Sequence, residues 1–161
     1  MIRTGIGYDA HKFAYNRKLI LGGVEIQHEM GLLGHSDADV LAHAIADALL
    51  GTIGKGDIGS HFPNKDPQYK GISSMVLLQR IRKLLDEEGW EINNIDSVLI
   101  LQEPHVAQYI VDMRNNLAKA LSTSASLISV KATSTEGMGF EGKGEGISAH
   151  AVCTIRMKAP A

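Results

Sequence analysis

Gly34-His-Ser-Asp-Ala-Asp-Val-Leu-Ala-His-Ala-Ile-Ala-Asp-Ala-Leu-Leu-Gly51 is the stretch on which the fold turns. Val40, Leu41, Ile45, Ala48 and Leu49 recur at helical spacing and stop at Gly51. Ser36 and Asp39 form an S-x-x-D capping signature, so a helix is expected to begin just after His35. Working outward, Leu19-Ile-Leu-Gly-Gly-Val-Glu-Ile26 sets a Gly-Gly pair between two apolar runs, the pattern of a two-residue hairpin. Residues 73–88 form a second helix through Met75, Leu78, Ile81, Leu84 and Leu85, with Gly89 as its stop. Residues 106–121 form a third through Val106, Ile110, Met113, Leu117 and Leu121. Ile95 to Leu101, Leu127 to Ala132 and Ile147 to Met157 read as strands, the last by strict alternation. Helices and strands thus alternate through one α+β or α/β domain covering residues 1–161, with no internal repeat or linker.

Composition narrows the function classes. A chain of 161 residues that is 44% hydrophobic and 21% charged builds one core and leaves little for a second. A formal charge of -2 and a pI near 6.4 lack the broad basic surface of a nucleic-acid partner, so any phosphate ligand is small and locally held. No run of about 18 apolar residues and no secretory h-region is present, and no membrane partner is expected. The chain reads as a bacterial cytoplasmic protein or a mature organellar one. Cys153, the sole cysteine, lies in the alternating stretch and reads as a small core residue.

Two constellations carry chemistry. Asp9 and His11 stand two apart, and an extended chain over residues 4–11 points both side chains to one face. A third ligand must come from elsewhere, and His43 is well placed on the first helix, near its beginning, where the preceding loop also carries His35, Asp37 and Asp39; two histidines and a carboxylate are a common ligand set for catalytic zinc. The alternative is a solvated acid beside a packed imidazole. Asp47, one turn beyond His43, is placed to accept a hydrogen bond from its second ring nitrogen; otherwise it is a solvated acid. His35, eight residues before His43, would share its side if the helix extended that far back.

The second constellation is Lys131-Ala-Thr-Ser-Thr-Glu-Gly-Met-Gly-Phe-Glu-Gly-Lys-Gly-Glu-Gly146. Its glycines let backbone N–H groups approach phosphate oxygens, and its hydroxyls donate to them. A carboxylate there would be repelled without a cation between, so Glu136 implies Mg2+ or Mn2+. No G-K-[ST] terminates the tract, so it is not a Walker loop. Gly54 to Pro63 is a second glycine-rich loop, carrying Asp57.

Taken together, G-Y-D-A-H at 7–11, G-L-L-G-H-S-D-A-D-V at 31–40 with His43, G-D-I-G at 56–59, F-P-N-K-D-P at 62–67, and K-A-T-S-T-E-G-M-G-F with G-K-G-E-G-I at 131–147 resemble the methylerythritol cyclodiphosphate synthase family of the non-mevalonate isoprenoid pathway. The resemblance covers nearly the whole chain in the family's order. It implies an α+β fold, a βα sandwich with a mixed sheet packed on helices, assembled as a homotrimer with active sites shared at its interfaces. It implies zinc on Asp9, His11 and His43, and magnesium or manganese on Glu136. It assigns His35, Ser36, Asp57, Ile58, Gly59, Phe62 and Asp66 to the methylerythritol phosphate. Leu101, Pro104, His105, Val106, Ala107, Ala132, Thr133, Ser134 and Thr135 fall to the cytidine nucleotide, with His35 and Thr135 steadying the transition state. Tyr8, Phe140, Lys143 and Glu145 match a cavity on the trimer axis that takes an isoprenoid diphosphate.

Two positions depart from the family pattern. His105 stands where lysine is frequent and weakens any fixed cationic contact to the nucleotide, and Lys143 stands where arginine is frequent and lacks its bidentate fork. The rival chemistries are a zinc hydrolase of small phosphate esters and a trimeric binding module with structural zinc.

Overall fold

Strand β1, Ile2–Ala14, is bordered by a short antiparallel partner β4, Gly31–Leu32, and along its length by β7, Gly146–Met157. The computed structural model describes residues 1–160. The sheet continues through β5, Trp90–Ile100, antiparallel to β7, and ends on β6, Ile128–Thr133, parallel to β5, giving the order β4-β1-β7-β5-β6. Leu19–Leu21 (β2) and Val24–Ile26 (β3) form the expected hairpin, and Gly22 and Gly23 both take positive φ at its turn. Helices α1, Val40–Thr52, α3, Ser74–Glu87, and α4, Ile110–Ala120, pack against the sheet, with a one-turn helix α2, Ile58–His61, after α1. The core lies between helices and sheet and includes Leu41, Ile45, Leu49, Leu78, Ile81, Leu85, Ile95, Leu99 and Cys153. The mixed sheet packed on helices is the α+β arrangement expected. None of the described helices is long and apolar enough to cross a membrane.

Three boundaries differ from the sequence reading. Helix α1 starts at Val40, not just after His35, and its N-cap is Asp39 rather than Ser36. Asp39 is fully buried and accepts the N–H groups of Ala42, Gly22 and Gly23, so one carboxylate caps the helix and fastens the hairpin turn to it. The third helix opens as a single 3-10 turn, Ala107–Tyr109, before α4. Strand β5 begins at Trp90, five residues earlier than expected, because the pairing with β7 shifts register between Ile92 and Asn94. Trp90 and Ile92 point inward before that irregularity and Ile95, Ser97 and Leu99 after it, which breaks the period-2 signal. The turn between β6 and β7, Gly139–Gly142, is α5.

Two glycines of β1 set the position of α1. A Cβ on Gly7 would sit 1.9 Å from the Ala44 carbonyl oxygen, and one on Gly5 2.0 Å from that of Ala48. The strand and helix backbones therefore touch, and any side chain would part them. This contact brings His43 of α1 over Asp9 and His11 of β1.

Candidate active site

Alternation along β1 turns Asp9 and His11 toward the helices, and His43 descends from the first turn of α1 to meet them. His11 Nε2 lies 2.8 Å from Asp9 Oδ2, His43 Nδ1 lies 2.9 Å from the same oxygen, and the two ring nitrogens are 3.2 Å apart. Ligands of a tetrahedral zinc ion are about 3.3 Å apart for bonds of about 2.0–2.1 Å, so this triangle fits one ion with little movement. Asp9, His11 and His43 are accordingly a group able to hold a divalent metal. His11 Nδ1 lies 2.9 Å from the Leu33 carbonyl, which fixes that ring with Nε2 free for a metal. Burial raises the Asp9 pKa, but hydrogen bonds and charge from His11 and His43 outweigh it and bring the carboxyl down to about 2. Burial likewise lowers the His11 pKa, and its bond to Asp9 overcomes that and leaves it raised.

Asp47 does not support His43. Its carboxylate accepts the Ile58 N–H at 2.8 Å, tying α1 to the start of α2. Nε2 of His43 instead faces Ser74 Oγ at 2.9 Å and Ser36 Oγ at 3.2 Å. Ser74 was invisible to the sequence reading, since nothing local in Ile72-Ser-Ser-Met75 marks a residue that reaches another helix.

The three side chains open into a cavity of about 180 Å³ lined also by His35, Ser36, Ile58, Gly59 and Phe62, and by Asn64, Tyr69, Ile72 and Leu77, which the sequence did not single out. His35 reaches it from the loop before α1, its Nε2 3.2 Å from the Asp66 carbonyl oxygen. Asp57 and Asp66 stand outside the lining: Asp57 caps α2 by accepting from Ser60 N–H and Oγ–H, and Asp66 accepts from Gln68. Those donors lower both carboxyl pKa values.

A separate cavity of about 350 Å³ at the ends of β5 and β6 gathers Leu101, Pro104, His105, Val106, Ala107, Ala132, Thr133 and Ser134. Gln102 lines it too and accepts the Gly137 N–H at 3.2 Å, a contact the sequence gave no hint of. Thr135 lies outside the lining and donates its hydroxyl to the Met138 carbonyl. Glu136 is exposed at positive φ, in the turn that Gln102 and Ser134 hold. The two cavities share no residue, so one chain does not bring Glu136 and the nucleotide positions to the Asp9–His11–His43 group.

Phe140 and Glu145 border a third cavity of about 640 Å³ together with Phe13 and Met30. Lys143, the C-cap of α5, is not among its lining residues, and Tyr8 packs on His150 with ring centroids 4.8 Å apart.

Known proteins share this architecture. The sequence profile of the YgbB family matches residues 2–156. The chain is 56% identical over 159 residues to a 2-C-methyl-D-erythritol 2,4-cyclodiphosphate synthase of Syntrophotalea carbinolica, covering 99% of this chain and 97% of that protein. The bifunctional IspDF of Campylobacter jejuni superposes with a TM-score of 0.94 at 41% identity, over 98% of this chain and 42% of that one. IspF of Plasmodium falciparum in complex with CDP superposes at 0.87 with 33% identity, covering 98% and 97%.

Proposed function

The chain belongs to the YgbB family, whose relatives reported above are cyclodiphosphate synthases, and on that premise we propose that it converts 4-diphosphocytidyl-2-C-methyl-D-erythritol 2-phosphate to 2-C-methyl-D-erythritol 2,4-cyclodiphosphate and CMP. It is an enzyme, a phosphorus-oxygen lyase of isoprenoid biosynthesis. The observation that carries the specific reading is the convergence of Asp9, His11 and His43 in the wall of a small cavity lined by both polar and apolar residues.

In this reaction an oxygen of the 2-phosphate forms a bond to the β-phosphorus, and the bond from that phosphorus to the CMP oxygen breaks with its electron pair leaving on CMP. Both reacting groups belong to one molecule, so the protein gains most by folding the substrate and neutralising its charge. No side-chain nucleophile is required. Zinc held by Asp9, His11 and His43, and magnesium or manganese held by Glu136, would supply Lewis-acid neutralisation of the diphosphate. His35 and Ser36, with Ile58, Gly59 and Phe62, enclose the methylerythritol phosphate; Asp57 and Asp66 shape the loops around it. The cavity of Leu101, Pro104, Val106 and Ala132 takes the cytosine and ribose, with His105 and Thr133 to Thr135 beside the phosphates.

The separation of the two cavities in one chain supports a homotrimer in which one subunit's metal group faces its neighbour's nucleotide cavity. The exposed apolar face of β1 and β7, with Ile6 at 73% and Val152 at 43% accessibility, supplies a surface for that contact. The cavity beside Phe140 and Glu145 then approaches the trimer axis and takes an isoprenoid diphosphate, with Tyr8 and Lys143 nearby. The enzyme acts in the bacterial cytoplasm.

Phosphorus NMR of the protein with zinc, magnesium and the diphosphocytidyl substrate tests the activity. CMP and a cyclic diphosphate are expected. Linear phosphates would establish a hydrolase instead, and no turnover would leave a binding module.

A further inference from the structure

The second ring nitrogen of His43 points away from the metal group, toward the hydroxyls of Ser36 and Ser74, and Ser74 has no part in the proposed reaction. Ser74, the first residue of α3, is 1% exposed, and its Oγ lies 2.9 Å from His43 Nε2. The same Oγ lies 2.5 Å from Asp37 Oδ1, and the Ser74 N–H donates to Asp37 Oδ2 at 2.9 Å. Asp37 Oδ1 also accepts the Asp39 N–H at 3.1 Å. An ionised carboxylate only accepts, so the Ser74 hydroxyl proton is committed to Asp37. Hydrogen bonds to a charged acceptor are roughly twice as strong as neutral ones, so turning that proton toward His43 is the poorer arrangement. What Ser74 then offers His43 is a lone pair. Nε2 therefore carries a proton, and once a cation takes the place of any Nδ1 proton shared with Asp9, Nδ1, which faces Asp9 and His11, offers its lone pair to the metal. Ser36 Oγ, which accepts the Ala38 N–H, stands as a second, longer partner of Nε2.

We propose that Asp37 and Ser74 form a positioning relay that selects the Nε2–H tautomer of His43 and so assigns Nδ1 as its metal-binding nitrogen. The inference rests on the reading of Asp9, His11 and His43 as a metal group. His11 gets the same service from a backbone carbonyl, whereas the His43 relay joins the loop before α1 to the start of α3, so the seating of α3 bears directly on the metal.

The test is NMR of the full-length protein with isotope-labelled histidine, loaded with an NMR-active cadmium isotope, alongside zinc titrations. Coupling from cadmium to His43 Nδ1 is expected, together with a slowly exchanging Nε2 proton. In Ser74→Ala that proton exchanges rapidly and zinc affinity falls about 10–100-fold, the usual cost of losing such an outer partner, while Ser74→Thr restores both. Asp37→Asn also weakens zinc, because a neutral amide oxygen holds the Ser74 hydroxyl proton less firmly than the carboxylate and leaves Ser74 Oγ a poorer acceptor for Nε2–H. Coupling to Nε2 in the wild type overturns the relay without needing any variant to fold. So does a Ser74→Ala protein with unchanged proton exchange and zinc affinity. A wild type that takes up no metal overturns the reading of the triad itself and this inference with it.

Discussion

Asp9 Oδ2 lies 2.8 Å from His11 Nε2 and 2.9 Å from His43 Nδ1, and that pairing gives the metal-stripped protein a defined pH response. The Asp9 pKa falls in the folded state from 3.8 to about 2, so its contribution is complete above 3.8 and is lost as pH falls toward 2. The His11 pKa is raised above 6.5, so its contribution is complete below 6.5 and is lost as pH rises through the raised value. Between these limits the pair stabilises the metal-free fold most. We expect the urea midpoint of metal-stripped protein to decline from pH 6.5 toward pH 8, and Asp9→Asn to flatten that decline; equal slopes would show that the pair is not coupled to folding. Glu136 poses a different question. Its exposed carboxylate sits in a turn held by backbone N–H bonds to Ser134 and Gln102, so Glu136→Gln leaves the turn intact and removes only charge. CMP release should fall about 100-fold, the scale of losing one group that stabilises developing charge, with zinc content unchanged. Loss of zinc in this variant would place Glu136 at the wrong metal.

Helix α1 acts on the site through its seat on β1. Because a Cβ on Gly7 would lie 1.9 Å from the Ala44 carbonyl oxygen, Gly7→Ala must lift the helix from the strand. Overpacking of this kind costs about 1–3 kcal/mol, and the lift carries His43 away from Asp9 and His11. Urea denaturation and zinc titration of Gly7→Ala should therefore report losses together; full zinc affinity in a destabilised protein would separate the seat from the site. Asp39 acts on the same helix at its N-terminus. Removing its side chain strands the buried N–H groups of Gly22 and Ala42 and unfastens the hairpin, and Asp39→Ala should cost about 2–4 kcal/mol in the same urea measurement.

At the scale of the molecule, the proposed shared-site trimer makes a prediction that no isolated subunit could meet. His43→Ala and Glu136→Gln subunits are each inactive alone. If each site takes its metal group from one subunit and Glu136 from the next, mixed trimers of the two variants rebuild about a quarter of the sites by random assortment. Activity measured after co-refolding an equal mixture should approach that fraction. Ile6→Glu, on the exposed sheet face, should give monomers in sedimentation and abolish both wild-type activity and the rescue. An inactive mixture of correctly assembled trimers would refute sharing.

The hairpin, the cores of the three long helices and the pairing of Asp9 with His11 were legible in the sequence, because each depends on neighbours within a few residues. Gly22-Gly23 specifies its turn, apolar spacing specifies a helix face, and a two-residue interval on a strand specifies a shared side. Motif order across the chain went further and indicated the family. The tertiary structure alone decided what the polar residues around His43 do. Asp39 and Asp47 had the composition of ligands or supports, yet they serve the hairpin and α2, while Ser74 and Asp37 hold the ring. These contacts join residues 11 to 37 positions apart, and they depend on how far two elements approach and at what angle. That is set by packing, by the bare backbone of Gly5 and Gly7 under α1 above all, and periodicity along the chain carries no record of it.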